Sequence, residues 1–131
     1  MNKISTEILI AGAGLAGLTA AAAFAEAGLE VICVDPKQMG PNKNADTRTT
    51  AILNPGIELL KNINFWETAA NFLQPLTTLK IANIGDNDNQ INQMINFRAS
   101  EIGVAQFGFN VPNNLLYDEL IRYLKSKANF K

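Results

Sequence analysis

The chain has 131 residues, 47% of them hydrophobic, and a formal net charge of −1. That length and apolar content suit a single domain with a real core, and the near-neutral charge gives no electrostatic footing for nucleic acid or an anionic membrane surface. Histidine is absent and cysteine occurs once, which excludes His-dependent catalysis, histidine metal sites, an internal disulfide and a cysteine metal cluster.

The opening residues, MNKISTEILI, lack the layout of a signal peptide, and no apolar run reaches the roughly 18 residues of a membrane span. A cytoplasmic protein is expected, at most peripheral at the inner membrane face through partners. The apolar run Ile8-Leu9-Ile10-Ala11 predicts a strand, and Gly12-Ala13-Gly14-Leu15-Ala16-Gly17 follows it directly. An alanine-rich helix is predicted from about Leu15 to Ala27, ended by Gly28. Val31-Ile32-Cys33-Val34 is apolar without alternation, as in a parallel strand buried on both faces. Cys33 reads as a small buried apolar residue.

Strand, glycine turn, helix, strand and the terminal carboxylate of Asp35 make the order of a βαβ dinucleotide-binding unit. Gly12 permits the tight turn, Gly14 lets a pyrophosphate approach the backbone, and Gly17 lets the helix pack closely. The N–H groups at the helix start, at Leu15 and Ala16, face that pyrophosphate with the positive end of the helix dipole. Asp35, roughly twenty residues after the first glycine, is placed to accept hydrogen bonds from an adenosine ribose and to disfavour a 2′-phosphate. The motif names a dinucleotide, FAD or NAD, and no reaction.

Pro36 to Asp46 reads as a polar loop broken by Pro36, Gly40 and Pro41. Arg48 follows in Asp46-Thr47-Arg48-Thr49-Thr50-Ala51. It is either half of a solvated ion pair or a side chain reaching back to the cofactor. Asn54 as N-cap and Pro55 at the first helical position open a helix with Ile57, Leu59 and Leu60 on its apolar face. Phe65, Trp66 and Phe72 continue into a second short helix, as core aromatics more than a cofactor platform. Thr77 to Ile84 and Ile91 to Phe97 predict an antiparallel hairpin. Ile91, Ile95 and Phe97 share one face of it, with Asn92 and Asn96 on the wetter one. The loop Gly85-Asp86-Asn87-Asp88-Asn89 imitates a calcium site, but no Glu stands at the required position, so it reads as the hairpin tip. A short apolar segment, Phe107 to Val111, precedes Pro112. The last helix runs from about Asn113 to Lys125 and buries Leu115, Leu116, Leu120, Ile121 and Leu124.

Four stretches together resemble the amino-terminal part of the flavoprotein aromatic hydroxylases, the p-hydroxybenzoate-hydroxylase-like group, and most closely its ubiquinone-biosynthesis members. They are ILIAGAGLAGLTAAAAFAEAGLEVICVD, DTRTTAILNPGIELLKNINFW, LTTLKIANIGDN and FGFNVPNNLLYDELIRYL. The resemblance implies an α/β fold: a Rossmann-like FAD-binding unit with a parallel sheet and an inserted antiparallel hairpin over residues 76–98 that begins a substrate-side sheet. It covers roughly the first third of the family's length, an incomplete domain. Gly85-Asp86 does not stand where the family's Gly-Asp motif stands. By resemblance, Gly12, Gly14, Leu15, Ala16, Gly17 and Asp35 hold the ADP half of FAD. Arg48 matches an arginine on the flavin side. Asn113 matches a polar position near the FAD phosphates, and its neighbour Asn114 stands where relatives often carry arginine.

The implied activity is NAD(P)H- and FAD-dependent monooxygenation of a phenolic ubiquinone precursor, with no catalytic acid or base and no metal in this chain. The implied partners are FAD, the phenolic or quinone precursor, other ubiquinone-biosynthesis proteins and the family's carboxy-terminal part. The chain alone is expected to have little or no hydroxylase activity. Two other readings stay open: a non-catalytic FAD- or NAD-binding module, and a fragment of a different flavin oxidoreductase.

Overall fold

A computed structural model describes residues 4–37, 46–84 and 91–131. The expected loop breakers Gly40 and Pro41 and the expected hairpin tip Gly85 to Asn89 lie outside the described residues. The fold is α/β, and the described residues form three small sheets.

The first is parallel. Strand β1 (Ile8–Ala11) pairs in register with β2 (Val31–Val34), Ile8 against Val31 through Ala11 against Val34. Helix α1 (Leu15–Glu26) makes the crossover, and Gly28, with φ +85°, turns the chain out of it. Residues 129–131 return along β2: the Val31 N–H donates to the Asn129 carbonyl and the Cys33 N–H to that of Lys131, so the tail continues the sheet in parallel. β2 does not bury both faces. Val31 and Cys33 lie beneath α1, whereas Leu9 and Val34 on the opposite face are 65% and 48% exposed. An unbroken apolar run therefore marks a parallel strand here even though one of its sides is uncovered.

The second sheet is one that the sequence does not predict. Strands β3 (Thr49–Leu53) and β4 (Gln74–Pro75) flank β7 (Gly108–Pro112), both antiparallel to it. The apolar segment at Phe107 to Val111 is thus mostly its central strand, and the stretch after Arg48 is an edge strand. Between β3 and β4 lie α2 (Asn54–Asn62), α3 (Trp66–Ala69) and a 3-10 turn. Asn54 is not the N-cap of α2: Leu53 holds that position with extended backbone, which moves Pro55 one place further into the first turn. Phe65 is fully buried, as expected of a core aromatic, and meets Tyr123 edge-on with ring centroids 5.5 Å apart.

The third sheet is the expected hairpin, β5 (Thr78–Ile84) with β6 (Ile91–Arg98). Leu79 and Ile81 stand opposite Phe97 and Ile95. A register shift at Asn83/Ile84 then sets Ile91 against Ile84. Cross-strand partners share a face, so Ile91 leaves the face of Ile95 and Phe97 that strict alternation gave it. Both faces of the ribbon are exposed in this chain.

Helix α4 (Asn113–Lys125) packs along α1. Leu116, Leu120, Ile121 and Leu124 are buried against Leu18, Ala21, Ala22 and Ala25. Leu115 departs from the expected stripe: it is 37% exposed, on the face of α4 that carries Arg122, away from the buried residues. Among the described residues, no helix is long and apolar enough to cross a membrane and no group of His, Cys, Asp or Glu could hold a metal.

Candidate functional site

The site is built at the carboxyl ends of β1 and β2, where an α/β sheet presents its loops to a ligand. An open recess of about 560 Å³ lies there, lined by Ala11, Gly12, Val34, Asp35 and Pro36. The glycine turn forms its wall. Gly12 adopts φ +112°, which a side chain would strain, and its N–H donates to the Val34 carbonyl at 2.7 Å, stitching the turn to β2. The Gly12 carbonyl lies so close to α1 that a Cβ on Gly17 would stand 2.0 Å from its oxygen. At Gly14 the situation is reversed: an added Cβ would meet nothing within 4 Å.

Gly14 is the N-cap of α1, with extended backbone and no side-chain cap. No acidic residue stands in the first turn. The N-terminal N–H groups of α1 at Leu15 and Ala16 therefore meet no carboxylate or hydroxyl supplied by the helix itself, which suits an external anion.

Asp35 closes the recess. Its Oδ2 accepts the Ala13 N–H at 2.7 Å and its Oδ1 the Lys37 N–H at 2.8 Å. These two backbone bonds, Ala13's first, hold the carboxyl below the ordinary aspartate range. Asp35 is thus ionised and oriented, with lone pairs to spare for ribose hydroxyls. The latch from Asp35 to Ala13 could not be read from spacing, because it depends on how the turn folds over β2. Cys33, behind the turn, is buried and its S–H donates to the Gly12 carbonyl at 3.6 Å; burial, then the Asp35 charge, pushes the thiol up.

Arg48 and Asn113 come together away from the glycine turn. Arg48 precedes β3, and its carbonyl accepts the Asn113 N–H at the start of α4. The Arg48 guanidinium forms a two-pronged pair with Asp46, Nε to Oδ1 and Nη2 to Oδ2, both at 2.8 Å. That pair and the Asn113 amide hold the Asp46 carboxyl well below the carboxylate range. Asn113 is buried, its Nδ2 donating to Asp46 at 2.9 Å and its Oδ1 accepting the Thr50 hydroxyl at 2.6 Å.

The glycine turn, the uncapped helix start and the ionised Asp35 fit the ADP half of a dinucleotide. The open space at Gly14 is where a phosphate group would approach the backbone.

Comparison with known proteins agrees. Residues 7–47 match the FAD binding domain family, so the nucleotide of this unit is FAD. No curated protein matches the chain by sequence. Among solved structures, a mutant of PqsL from P. aeruginosa superposes with a TM-score of 0.74 at 17% identity, over 96% of this chain and 32% of PqsL. The flavin-dependent monooxygenase PieE, solved with FAD and substrate, gives 0.71 at 19% identity, over 99% of this chain and 24% of PieE. The p-nitrophenol 4-monooxygenase PnpA from Pseudomonas putida gives 0.69 at 14% identity, over 99% of this chain and 31% of PnpA. The chain therefore has the fold of part of such proteins and spans about a third of their length or less.

Proposed function

We propose that this chain is the nucleotide-holding part of an FAD-dependent monooxygenase that hydroxylates an electron-rich phenolic ring, a ubiquinone precursor being the specific candidate. The observation that carries the reading is the Asp35 latch. One carboxylate fixes the glycine turn through Ala13 and presents its remaining lone pairs at the mouth of the recess. A likeness of fold over nearly the whole chain to PieE and PnpA supports the monooxygenase class. The resemblance of Asp46-x-Arg48 and the following helix supports the phenolic substrate.

FAD supplies the oxygen chemistry when bound, with NAD(P)H as the reductant. This chain's residues bind and orient. The N–H groups of Leu15, Ala16 and Gly17 face the pyrophosphate, Gly14 leaves room for it, and Asp35 takes the ribose. Arg48 reaches the flavin side. The hairpin of β5 and β6 begins the substrate-side sheet, and residues 1–131 form the amino-terminal part of the FAD domain. On this reading the protein works in the cytoplasm, at most peripherally at the inner membrane face, with other ubiquinone-biosynthesis proteins as partners.

Purified chain incubated with FAD, desalted and scanned in the visible range tests the reading. A retained flavin spectrum is expected, with no retention of NAD. A colourless protein that binds NAD would sink it. By itself the chain is expected to bind without turnover, and measured hydroxylation of a phenol by these 131 residues would overturn that part.

A further inference from the structure

We propose that Asp46, Asn113 and Thr50 are positioning residues that fix the Arg48 guanidinium toward FAD, and that Asn113 acts on the cofactor only through Arg48. The inference rests on the reading of Arg48 as a cofactor contact. It departs from the simplest role for Asn113, a direct ligand of the phosphates.

The geometry argues for the relay. Asp46 accepts four hydrogen bonds: Oδ1 from the Arg48 N–H and Nε, Oδ2 from Arg48 Nη2 and Asn113 Nδ2. A carboxylate offers about four lone-pair sites, so Asp46 has no capacity left for a ligand. Asn113 is engaged inward and covered rather than saturated. Its amide bridges Asp46 and Thr50, its backbone N–H is taken by Arg48, and it is 9% exposed. The Arg48 side chain is 81% exposed. Among the described residues its hydrogen bonds run from Nε and Nη2 to Asp46, so one edge of the fork is pinned and the Nη1 edge is presented outward.

An exposed arginine ordinarily spreads over many rotamers and loses that freedom on binding. Here the loss is taken during folding, because a buried amide anchored on β3 and α4 holds the carboxylate that holds the guanidinium. Orientation fixed in advance strengthens binding without adding a contact. The depressed Asp46 keeps the relay ionised well into acid.

A double-mutant cycle on the full chain tests this. FAD affinity is measured by quenching of flavin fluorescence for wild type, Arg48→Ala, Asn113→Ala, Asp46→Asn and the Arg48→Ala/Asn113→Ala pair. Urea unfolding of each FAD-free protein is followed alongside. Asn113→Ala and Asp46→Asn are each expected to weaken FAD roughly tenfold, and Asn113→Ala to have no further effect once Arg48 is gone. A loss from Asn113→Ala that persists without Arg48 overturns the relay, since Asn113 would then touch the cofactor. So does a loss from Arg48→Ala unaccompanied by any from Asp46→Asn or Asn113→Ala. FAD affinity unchanged by Arg48→Ala is a different result: it removes the Arg48 contact and the relay with it. Should Asn113→Ala fail to fold, Asp46→Asn and Thr50→Val, each at a half-buried position, complete the same cycle with Arg48→Ala.

Discussion

Replacing Gly17 or Gly14 by alanine adds the same methyl group to the same turn, and the structure predicts opposite consequences. Gly17 lies inside α1, where alanine is favoured over glycine by about 1 kcal/mol on propensity alone. Its added Cβ would stand 2.0 Å from the Gly12 oxygen and 3.1 Å from the Gly12 carbonyl carbon. Both are backbone atoms of a turn held to Val34, so helix and turn must part by more than an ångström. Overpacking of this kind costs about 1–3 kcal/mol, and the upper end applies where the opposing atom is backbone. Sterics therefore outweigh propensity, and Gly17→Ala should lose about 2 kcal/mol and bind FAD poorly because the helix start has moved. Gly14→Ala keeps an extended backbone that alanine adopts freely and touches nothing. Its weaker N-cap is offset by a stiffer unfolded chain, so stability should change by less than about 0.5 kcal/mol. FAD affinity should nonetheless fall, because the methyl fills the space a phosphate needs. Urea midpoints at constant slope, together with flavin fluorescence titrations, separate the two effects. A stable Gly17→Ala protein, or a Gly14→Ala protein that binds FAD as wild type does, would refute the reasoning.

Gly108→Ala would place a Cβ 2.1 Å from the Ile52 oxygen and 2.7 Å from the Leu53 Cα, so it should cost about 3 kcal/mol by forcing β3 away from β7, read as a lower urea midpoint. Asp35→Asn can accept only one of the Ala13 and Lys37 N–H groups through its single carbonyl oxygen, so FAD affinity in fluorescence titrations should drop at least tenfold. Glu26, between α1 and α4, is pulled down to about 2 by hydrogen bonds from Lys127, Tyr123 and Asn64. A depressed carboxyl stabilises the fold above its unfolded pKa and loses that contribution as pH falls through the folded one. The stability advantage of wild type over Glu26→Gln should therefore be full at pH 6 and shrink between about 4.5 and about 2, as followed by thermal melts across that range.

The nucleotide unit was legible because its signals are local. An apolar run, three spaced glycines, alanines and a carboxylate each dictate one conformation, and β1, α1 and β2 begin where the residues predict. The three-stranded sheet was not legible. β3 is a threonine-rich edge and β4 has two residues, too little for a period-two pattern, and both acquire strand geometry only by pairing with β7. Arg48 could be singled out as a candidate, but its partner arrangement could not. Asp46 is near in sequence, whereas Asn113 reaches them from the far end of the chain. The Gly108 contact likewise exists only once β3 crosses it.

Helix α4 ties these distant parts of the chain together. Its first residue, Asn113, ties the Asp46–Arg48 pair to β3. Near its other end Tyr123 sets its hydroxyl 2.7 Å from Glu26 at the close of α1, and Lys127 just beyond joins the same carboxylate. Between those ends Leu120 and Leu124 are fully buried in the cluster that holds Leu18, Ala21 and Ala22. Small side chains on α1 allow that close approach, and a larger residue at Ala21 or Ala22 would push α4 outward. The displacement would carry Asn113 away from Asp46 while leaving the glycine turn on β1 in place. The alanine run thus has a second consequence beyond helix propensity: it sets the distance between the helix that begins at the glycine turn and the helix that begins at Asn113.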